Sequence, residues 1–193
     1  MQRDVEVEYI VQDGASRDQT LAIVRRYGDC VTTLVSEPDT GIADAMNRAL
    51  ASVTGDYVFM LHADDRFADP HALARVRDVI ETNPGRDIYA FDVLKGEGEQ
   101  QELLRSTGLS WQLNFKQKLW HQGVWTSRAL FQRVGDFDSG YRVAMDYDWV
   151  LRVYRSGASC LLTHEVICLM GADGVSSQTD WASLRLRLEE ERK

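Results

Sequence analysis

The sequence predicts an α/β domain whose sheet is largely parallel and flanked by helices. Over residues 5–94, apolar β-branched runs alternate with segments of helical period, in the order strand, helix, strand, helix, strand, helix, strand. Short clusters of turn formers and helix caps separate them in place of long linkers. Acidic residues collect where the strands stop, which is where ligands gather in open α/β sheets.

Residues 5–12, VEVEYIVQ, are β-branched and aromatic enough for a first strand, and DGASRDQT supplies a turn and a cap for the helix TLAIVRRYG. CVTTLVSE reads as the second strand. Ile42, Ala45, Met46, Ala49, Leu50 and Val53 then recur at the 3.6 period of an amphipathic helix. GDYVFMLHADD gives a third strand. In DPHALARVRDVIETNPG, Asp69 stands at the cap and Pro70 at the first helical position, with Leu73, Val76, Val79 and Ile80 facing inward. RDIYAFDVL makes the fourth strand.

The second half is less regular. KGEGEQQELLRSTGLSWQLNFKQK reads as a surface excursion, a hairpin or a mobile loop. SRALFQRVGDFD is a short helix ended by Gly135, MDYDWVLRVYRSG a helix ended near Gly157, and SCLLTHEVICLM a late strand or strand pair. The tail SSQTDWASLRLRLEEERK is helical, with Trp181, Leu184 and Leu188 on one side. No internal repeat or low-complexity tract interrupts the chain, so residues 1–193 read as a single domain.

Composition narrows the function. A chain of 193 residues that is 44% hydrophobic can bury one substantial core. Its formal net charge of -8, without a Lys/Arg cluster, argues against nucleic acid as a partner. Cys30, Cys160 and Cys168 are an odd number without metal-ligand spacing, which argues against a disulfide framework or a zinc site. No apolar run approaches the ~20 residues that span a bilayer, and the start lacks a secretory pattern, so the expected location is cytoplasmic.

Three acidic groups sit at expected strand or loop ends: Asp13, Asp64 with Asp65, and Asp146 with Asp148. Adjacent carboxylates repel and raise each other's pKa unless a cation neutralises them, so the Asp64–Asp65 pair suits a hard divalent ion such as Mg²⁺ or Mn²⁺. Such ions fill their remaining positions with water and phosphate, which points to a nucleotide diphosphate. The competing reading is a plain turn before the helix at Asp69. Asp146 shares a helical face with Trp149, Val150 and Val153, while Asp148 can pair with Arg152 one turn on.

The motifs EYIVQDGASRDQT, SEPDTGIADAMNRAL, ASVTGDYVFMLHADD, WHQGVWTSRALFQRVGDFD, YRVAMDYDWVLRV and GADGVSS occur in an order that resembles bacterial family 2 glycosyltransferases of the GT-A fold. The resemblance runs from about the first strand to Ser177. It implies a GT-A-like (Rossmann-like) domain that moves a sugar from a nucleotide diphosphate donor to a glycan or lipid-linked acceptor, with a divalent metal and inversion at the anomeric carbon. By the same resemblance, Asp146 is the general base and Asp65 the metal contact, and Asp13, Asp44, Asp64 and His121 bind the donor. Residues up to about 95 then form the nucleotide-sugar part and 96–193 the acceptor and catalytic part. His62 reads as packing or hydrogen bonding, at a position where relatives more often carry a small residue, Asn or Asp. At least two of Trp111, Trp120 and Trp125 read as core, although aromatic faces also suit sugar rings.

The sequence departs from the family in one respect. Relatives carry a strand and a helix ahead of the strand that starts here near Val5, so the domain is expected to be N-terminally shortened. The gap would be filled by another segment, a partner chain or a second copy in a homo-oligomer. This keeps open an alternative from another class, a catalytically impaired GT-A fragment or scaffold that needs a partner strand. A nucleotidyltransferase ranks below both, because no glycine-rich phosphate loop with a basic residue is present. A lipid-linked acceptor would also require peripheral contact with the inner membrane face.

Overall fold

The computed structural model of the protein describes residues 2–96, 98, 101–171 and 180–192. Its strands form two sheets. β1 (Ile10–Asp13) and β2 (Thr33–Ser36) pair in parallel through the crossover helix α1 (Thr20–Arg26) and make a two-stranded sheet. The second sheet has six strands. β3 (Tyr57–Val58), β7 (Val124–Ser127), β5 (Ile88–Lys95), β8 (Cys160–Met170) and β4 (Arg66–Phe67) follow one another across it, and β6 (Glu102–Leu104) pairs with β5.

The α/β class is as expected, but the parallel character is confined to β1–β2 and β5–β8. The contacts β3–β7, β5–β7, β5–β6 and β4–β8 are antiparallel. The reason lies in β7. β3 and β5 are joined by α3 (Ala72–Thr82) and run the same way, as a strand–helix–strand pattern requires, yet β7 inserts between them and opposes both. β6 turns the stretch after β5 into a hairpin, one of the two outcomes expected for it.

β5 organises the core. Alternate side chains of a strand face opposite ways, and Ile88 and Ala90 meet one apolar cluster while Tyr89 and Phe91 meet another. The first cluster holds Met46 of α2 (Ile42–Ala51), Leu130 of α4 (Arg128–Val134), and Trp149, Val150 and Val153 of α5 (Met145–Arg155). Those last three are the face expected from helical spacing, and Arg152 bonds Asp148 at 2.9 Å on the other side. The second cluster holds Ala72 and Val76 of α3 with Ile167 of β8. α4 begins at Ser127, whose hydroxyl accepts the Leu130 amide at 3.2 Å, and ends at Gly135, where φ is +88°.

Several expectations shift. The first strand covers only Ile10–Asp13. Residues 2–9 are instead tied down by side chains: Gln2 bonds the Asp69 carbonyl at 2.8 Å and the Leu73 amide at 3.0 Å, and Glu8 accepts the Thr54 amide at 2.9 Å. With the Leu73 amide satisfied from outside, α3 starts at Ala72 and Pro70 stays in the preceding turn. α6 (Trp181–Glu190) leaves Trp181 79% and Leu188 49% exposed, so its expected apolar side is not a core face.

A groove of about 2270 Å³ separates the two sheets. Ile10 and Gln12 of β1, Tyr57 and Val58 of β3, and Ala45 and Ala49 of α2 line it. Among the described residues, β1 and β3 each have one strand partner, so each presents an open edge. No helix among the described residues is long and apolar enough to cross a membrane.

Candidate active site

The groove is deepest in chemistry where the chain leaves β3. Residues 59–62 continue toward a turn closed by the Asp65 amide donating to the His62 carbonyl at 3.1 Å. This turn leaves Asp64 exposed and Asp65 buried. The chain just beyond β8 locks the pair: Gly171 donates its amide to Asp65 Oδ1 at 3.2 Å, and a Cβ at Gly171 would stand 2.5 Å from Asp64 Oδ2. A side chain at 171 would displace the Asp64 carboxylate from this position. The rest of the GADGVSS motif, at 172–177, lies outside the described residues.

His121 reaches the same place from another element. The short turn at His121–Gly123 lies directly before β7 and presses onto β5, where a Cβ at Gly123 would stand 2.4 Å from the Phe91 carbonyl oxygen. The rings of His62 and His121 then lie 4.6 Å apart between centroids. One potential ligand atom each from His62, Asp65 and His121 lies within 4.8 Å of the other two. His62 Nε2, Asp65 Oδ2 and His121 Nε2 are buried without a hydrogen-bond partner. Burial, with the His121 ring beside it, holds His62 down to about 4, and burial pushes the Asp65 carboxyl up. Each of the three residues thus brings a ligand-type atom to this place and has a buried polar atom without a partner, a combination that fits a divalent cation.

Asp146 stands behind His121 in the first turn of α5. Its Oδ2 lies 3.3 Å from His121 Nδ1 and accepts Gln117 Nε2 at 2.7 Å, while Oδ1 accepts the Tyr147 amide at 2.8 Å. Protein encloses the carboxylate on most sides, yet 21% of the side chain stays accessible, on the groove. Burial pushes its pKa up, but the donors from His121, Gln117 and Tyr147 outweigh that and leave it below the ordinary range. It is therefore ionised at neutral pH, the state a proton acceptor needs.

The start of α5 is held from outside the helix. Glu190, on α6 and buried, accepts the amides of Arg142 at 2.8 Å and of Val143 and Ala144 at 2.9 Å. A carboxylate there satisfies open amides and suits the positive end of the helix dipole.

The remaining sequence candidates lie apart. Asp13 is buried at the end of β1, where Oδ2 accepts the Ser16 amide at 3.0 Å and the Ser36 hydroxyl at 2.6 Å; these bonds hold its pKa down. A Cβ at the neighbouring Gly14 would stand 2.4 Å from Asp39 Oδ2, so the DGAS and EPDT loops meet there. Asp44 faces its own turn: it accepts the Thr40 amide at 2.9 Å, and Arg48 grips both carboxylate oxygens at 3.0 and 3.1 Å. Those bonds, Arg48 first, hold Asp44 at about 2. The structure thus gathers His62, Asp65, His121 and Asp146, with His121 in contact with Asp146 and Asp64 at the rim, but Asp13 and Asp44 are held by local partners. Of the tryptophans, Trp125 stacks on Phe59 at 4.9 Å, Trp120 is half-buried on the groove, and Trp111 is 64% exposed beside Phe115.

Sequence reasoning missed Gln117, Glu190 and the ligand geometry of His62. Gln117 lies in a stretch without periodicity, and Glu190 sits in a run of charged residues that reads as solvated surface. His62 carried a signal, its place two residues before an acid pair at a strand end, but the second imidazole comes from 59 positions away.

Comparison with known proteins extends the site to a whole chain. The profile of Glycosyl transferase family 2 matches residues 2–139. A PGL/p-HBAD biosynthesis glycosyltransferase of Mycobacterium bovis is 30% identical over 163 residues, covering 79% of this chain and 60% of the relative. An uncharacterized glycosyltransferase of Mycobacterium tuberculosis is 30% identical over 183 residues, covering 90% of this chain and 67% of the relative. The chain thus spans about 60% of the length of the first curated relatives it matches. Among solved structures, S. aureus TarS in complex with UDP-GlcNAc has a TM-score of 0.72 at 19% identity, covering 90% of this chain and 52% of that one. The mannosyltransferase PcManGT from Pyrobaculum calidifontis, in complex with GDP-Man and Mn²⁺, has a TM-score of 0.67 at 22% identity, covering 96% and 52%. At those identities the structures establish the shared GT-A fold.

Proposed function

The chain belongs to glycosyl transferase family 2, and from that premise we propose that it moves a sugar from a nucleotide diphosphate donor to a glycan or lipid-linked acceptor by inverting single displacement. The observation that carries this reading is that His62, Asp64, His121 and Asp146 line one stretch of the groove, with the buried Asp65 gathered behind His62 and His121. The structural neighbours carry UDP-GlcNAc and GDP-Man, two nucleoside diphosphate sugars with different bases, which supports the donor class and leaves the base open.

In this reading residues up to about 95 hold the donor and 96–193 the acceptor and the catalytic helix. Asp13 and Asp39 shape the nucleoside end, Asp44 acts through the turn it holds, and Asp64 and His121 face the sugar diphosphate. Asp146 takes the proton of the acceptor hydroxyl as that oxygen attacks the anomeric carbon. Gln117 and the Tyr147 amide fix its carboxylate so that little reorganisation accompanies the transfer. Asp65 would hold a divalent metal, Mg²⁺ or Mn²⁺, whose positive charge stabilises the departing diphosphate. The metal fits because Asp65 Oδ2 is buried with no other partner.

A second reading is favoured by the split sheet: a domain whose donor pocket is complete only when another strand, from a second copy or a partner chain, lies along the open edges of β1 and β3. Calorimetric titration of the folded chain with UDP, GDP and dTDP, each with and without Mn²⁺, separates the two. Metal-dependent binding of one nucleotide supports the enzyme as it stands. A folded chain that binds none favours the strand-dependent reading.

A further inference from the structure

We infer that His62 and His121 join Asp65 as direct ligands of one divalent cation, and that this set of two imidazoles and one carboxylate selects Zn²⁺ and Co²⁺ over Mg²⁺. The inference depends on the glycosyl-transfer reading for what the ion assists, while its ligand chemistry stands on the geometry alone.

Three features converge. First, His62 Nε2, Asp65 Oδ2 and His121 Nε2 are each buried and each without a hydrogen-bond partner. Among the described residues the other buried side-chain atoms in that condition are Gln12 Nε2, Ser110 Oγ, Trp120 Nε1 and Trp125 Nε1, which are amide, hydroxyl and indole groups and form no ligating set. Second, ligand atoms of the three residues already lie within 4.8 Å of one another. Around a tetrahedral ion with bonds of ~2.1 Å, ligand atoms lie ~3.4 Å apart, so rotations of the rings and of the carboxylate that draw the three atoms in by about 1 Å or more close the set.

Third, His121 carries the outer contact of a metal-bound imidazole. Its Nδ1 faces Asp146 Oδ2 at 3.3 Å, which places the ring proton there and leaves Nε2 with a free lone pair. Gln117 holds the same carboxylate oxygen at 2.7 Å and steadies the arrangement. The tilted contact between the two rings, 4.6 Å between centroids, brings two nitrogen ligands to a site where a pair of carboxylates alone would offer only oxygen. Nitrogen ligands favour the later first-row divalent ions, whereas Mg²⁺ favours oxygen and holds its water.

The test is metal binding by the metal-free 193-residue chain, followed by the visible ligand-field spectrum of Co²⁺ and by competition with Zn²⁺ and Mg²⁺. The expected result is Co²⁺ and Zn²⁺ affinity at least about 100-fold above that for Mg²⁺. His62→Ala and His121→Ala should each lower Co²⁺ affinity by about 10- to 100-fold and change its spectrum. Pulsed EPR of the Mn²⁺-loaded wild-type chain reads the ligands without any variant, and nitrogen couplings are expected from two imidazoles. Absence of those couplings, an unchanged Co²⁺ spectrum in both variants, or a preference for Mg²⁺ overturns the inference, as does failure to bind any ion. Nucleotide binding by a chain that binds no ion would leave glycosyl transfer standing and remove only the metal centre. Nitrogen-ligated metal without nucleotide binding would do the reverse.

Discussion

Glu190 accepts the backbone amide of Ala144 at 2.9 Å, so the residue that closes α6 also caps the helix that presents Asp146. The same carboxylate takes the Arg142 and Val143 amides, which gives three charge-assisted bonds to one buried group. Glu190→Ala should lower stability by about 2–4 kcal/mol, read by denaturant titration, since water replaces only part of those bonds. It should also reduce kcat by about 10-fold with donor KM nearly unchanged, because the start of α5 shifts under Asp146. Glu190→Gln should recover much of both. Equal kcat in wild type and Glu190→Ala would show that the cap does not position the catalytic helix.

Under the proposed roles Asp146 takes the proton and Asp65 holds the metal, and their variants should separate the two. Asn at 146 keeps an oxygen for the His121 and Gln117 donors but loses the proton acceptor. Asp146→Asn is therefore expected to cut transfer by about 10²- to 10⁴-fold while changing nucleotide affinity less than about 3-fold. Asp65→Ala should weaken metal-dependent nucleotide binding by about 10-fold or more. Titration calorimetry on both variants checks this, and equal loss of binding would contradict the division.

Gly171 is closely packed against the acid pair. A methyl group there would overlap the Asp64 carboxylate, and the backbone cannot retreat without giving up its 3.2 Å bond to Asp65. Gly171→Ala should cost about 1–3 kcal/mol of stability and lower nucleotide affinity in Mn²⁺ by about 10-fold. Thermal melts with and without Mn²⁺ and nucleotide read both effects; a variant that binds as tightly as wild type would place the acid pair outside the donor site.

The acid limb of stability should respond to Asp13. Ser16 and Ser36 hold its folded pKa below the ordinary aspartate value of ~3.9. A depressed carboxylate contributes stability that is fully present above that value and is lost as pH falls through the folded pKa. The melting temperature of Asp13→Asn should therefore lie below that of wild type at pH 6 to 7, and the two should converge on acidification below about pH 4. A gap that stayed constant down to pH 3 would mean that the charge of Asp13 does not matter to the fold.

The parts of this protein that could be read locally were read well. Trp149, Val150 and Val153 face inward on α5 because a 3.6 period is a local property, and Gly135 ends α4 because a positive φ is one too. The insertion of β7 between β3 and β5 left no local trace, since a four-residue strand looks the same in either direction. Residues 5–9 had the composition of a strand, but among the described residues only the Tyr9 carbonyl takes backbone amides, those of Thr32 and Thr33, while the Tyr9 amide and the Glu8 carboxylate bond through side chains. The acid pair and Asp146 were singled out from motif order and the structure brings them near one another, whereas the pairing of His62 with His121 depends on where two distant segments dock. Glu190 was hidden for the opposite reason: a charged run at a helix end gives no sign that one member turns inward.

The position of β7 has a consequence for the order in which the molecule assembles. Among the described residues β3 pairs only with β7, and β7 bridges it to β5. During synthesis, β3 and the turn bearing His62 and Asp65 must wait for a segment that emerges some sixty residues later. His121 lies three residues ahead of β7, so the docking of that one short strand joins the sheet and brings in the second imidazole together. Closure across such a separation is slow compared with local helix formation. Partly folded chains should hold the helices and β5 before any competent site exists, and the site should appear in a single late step.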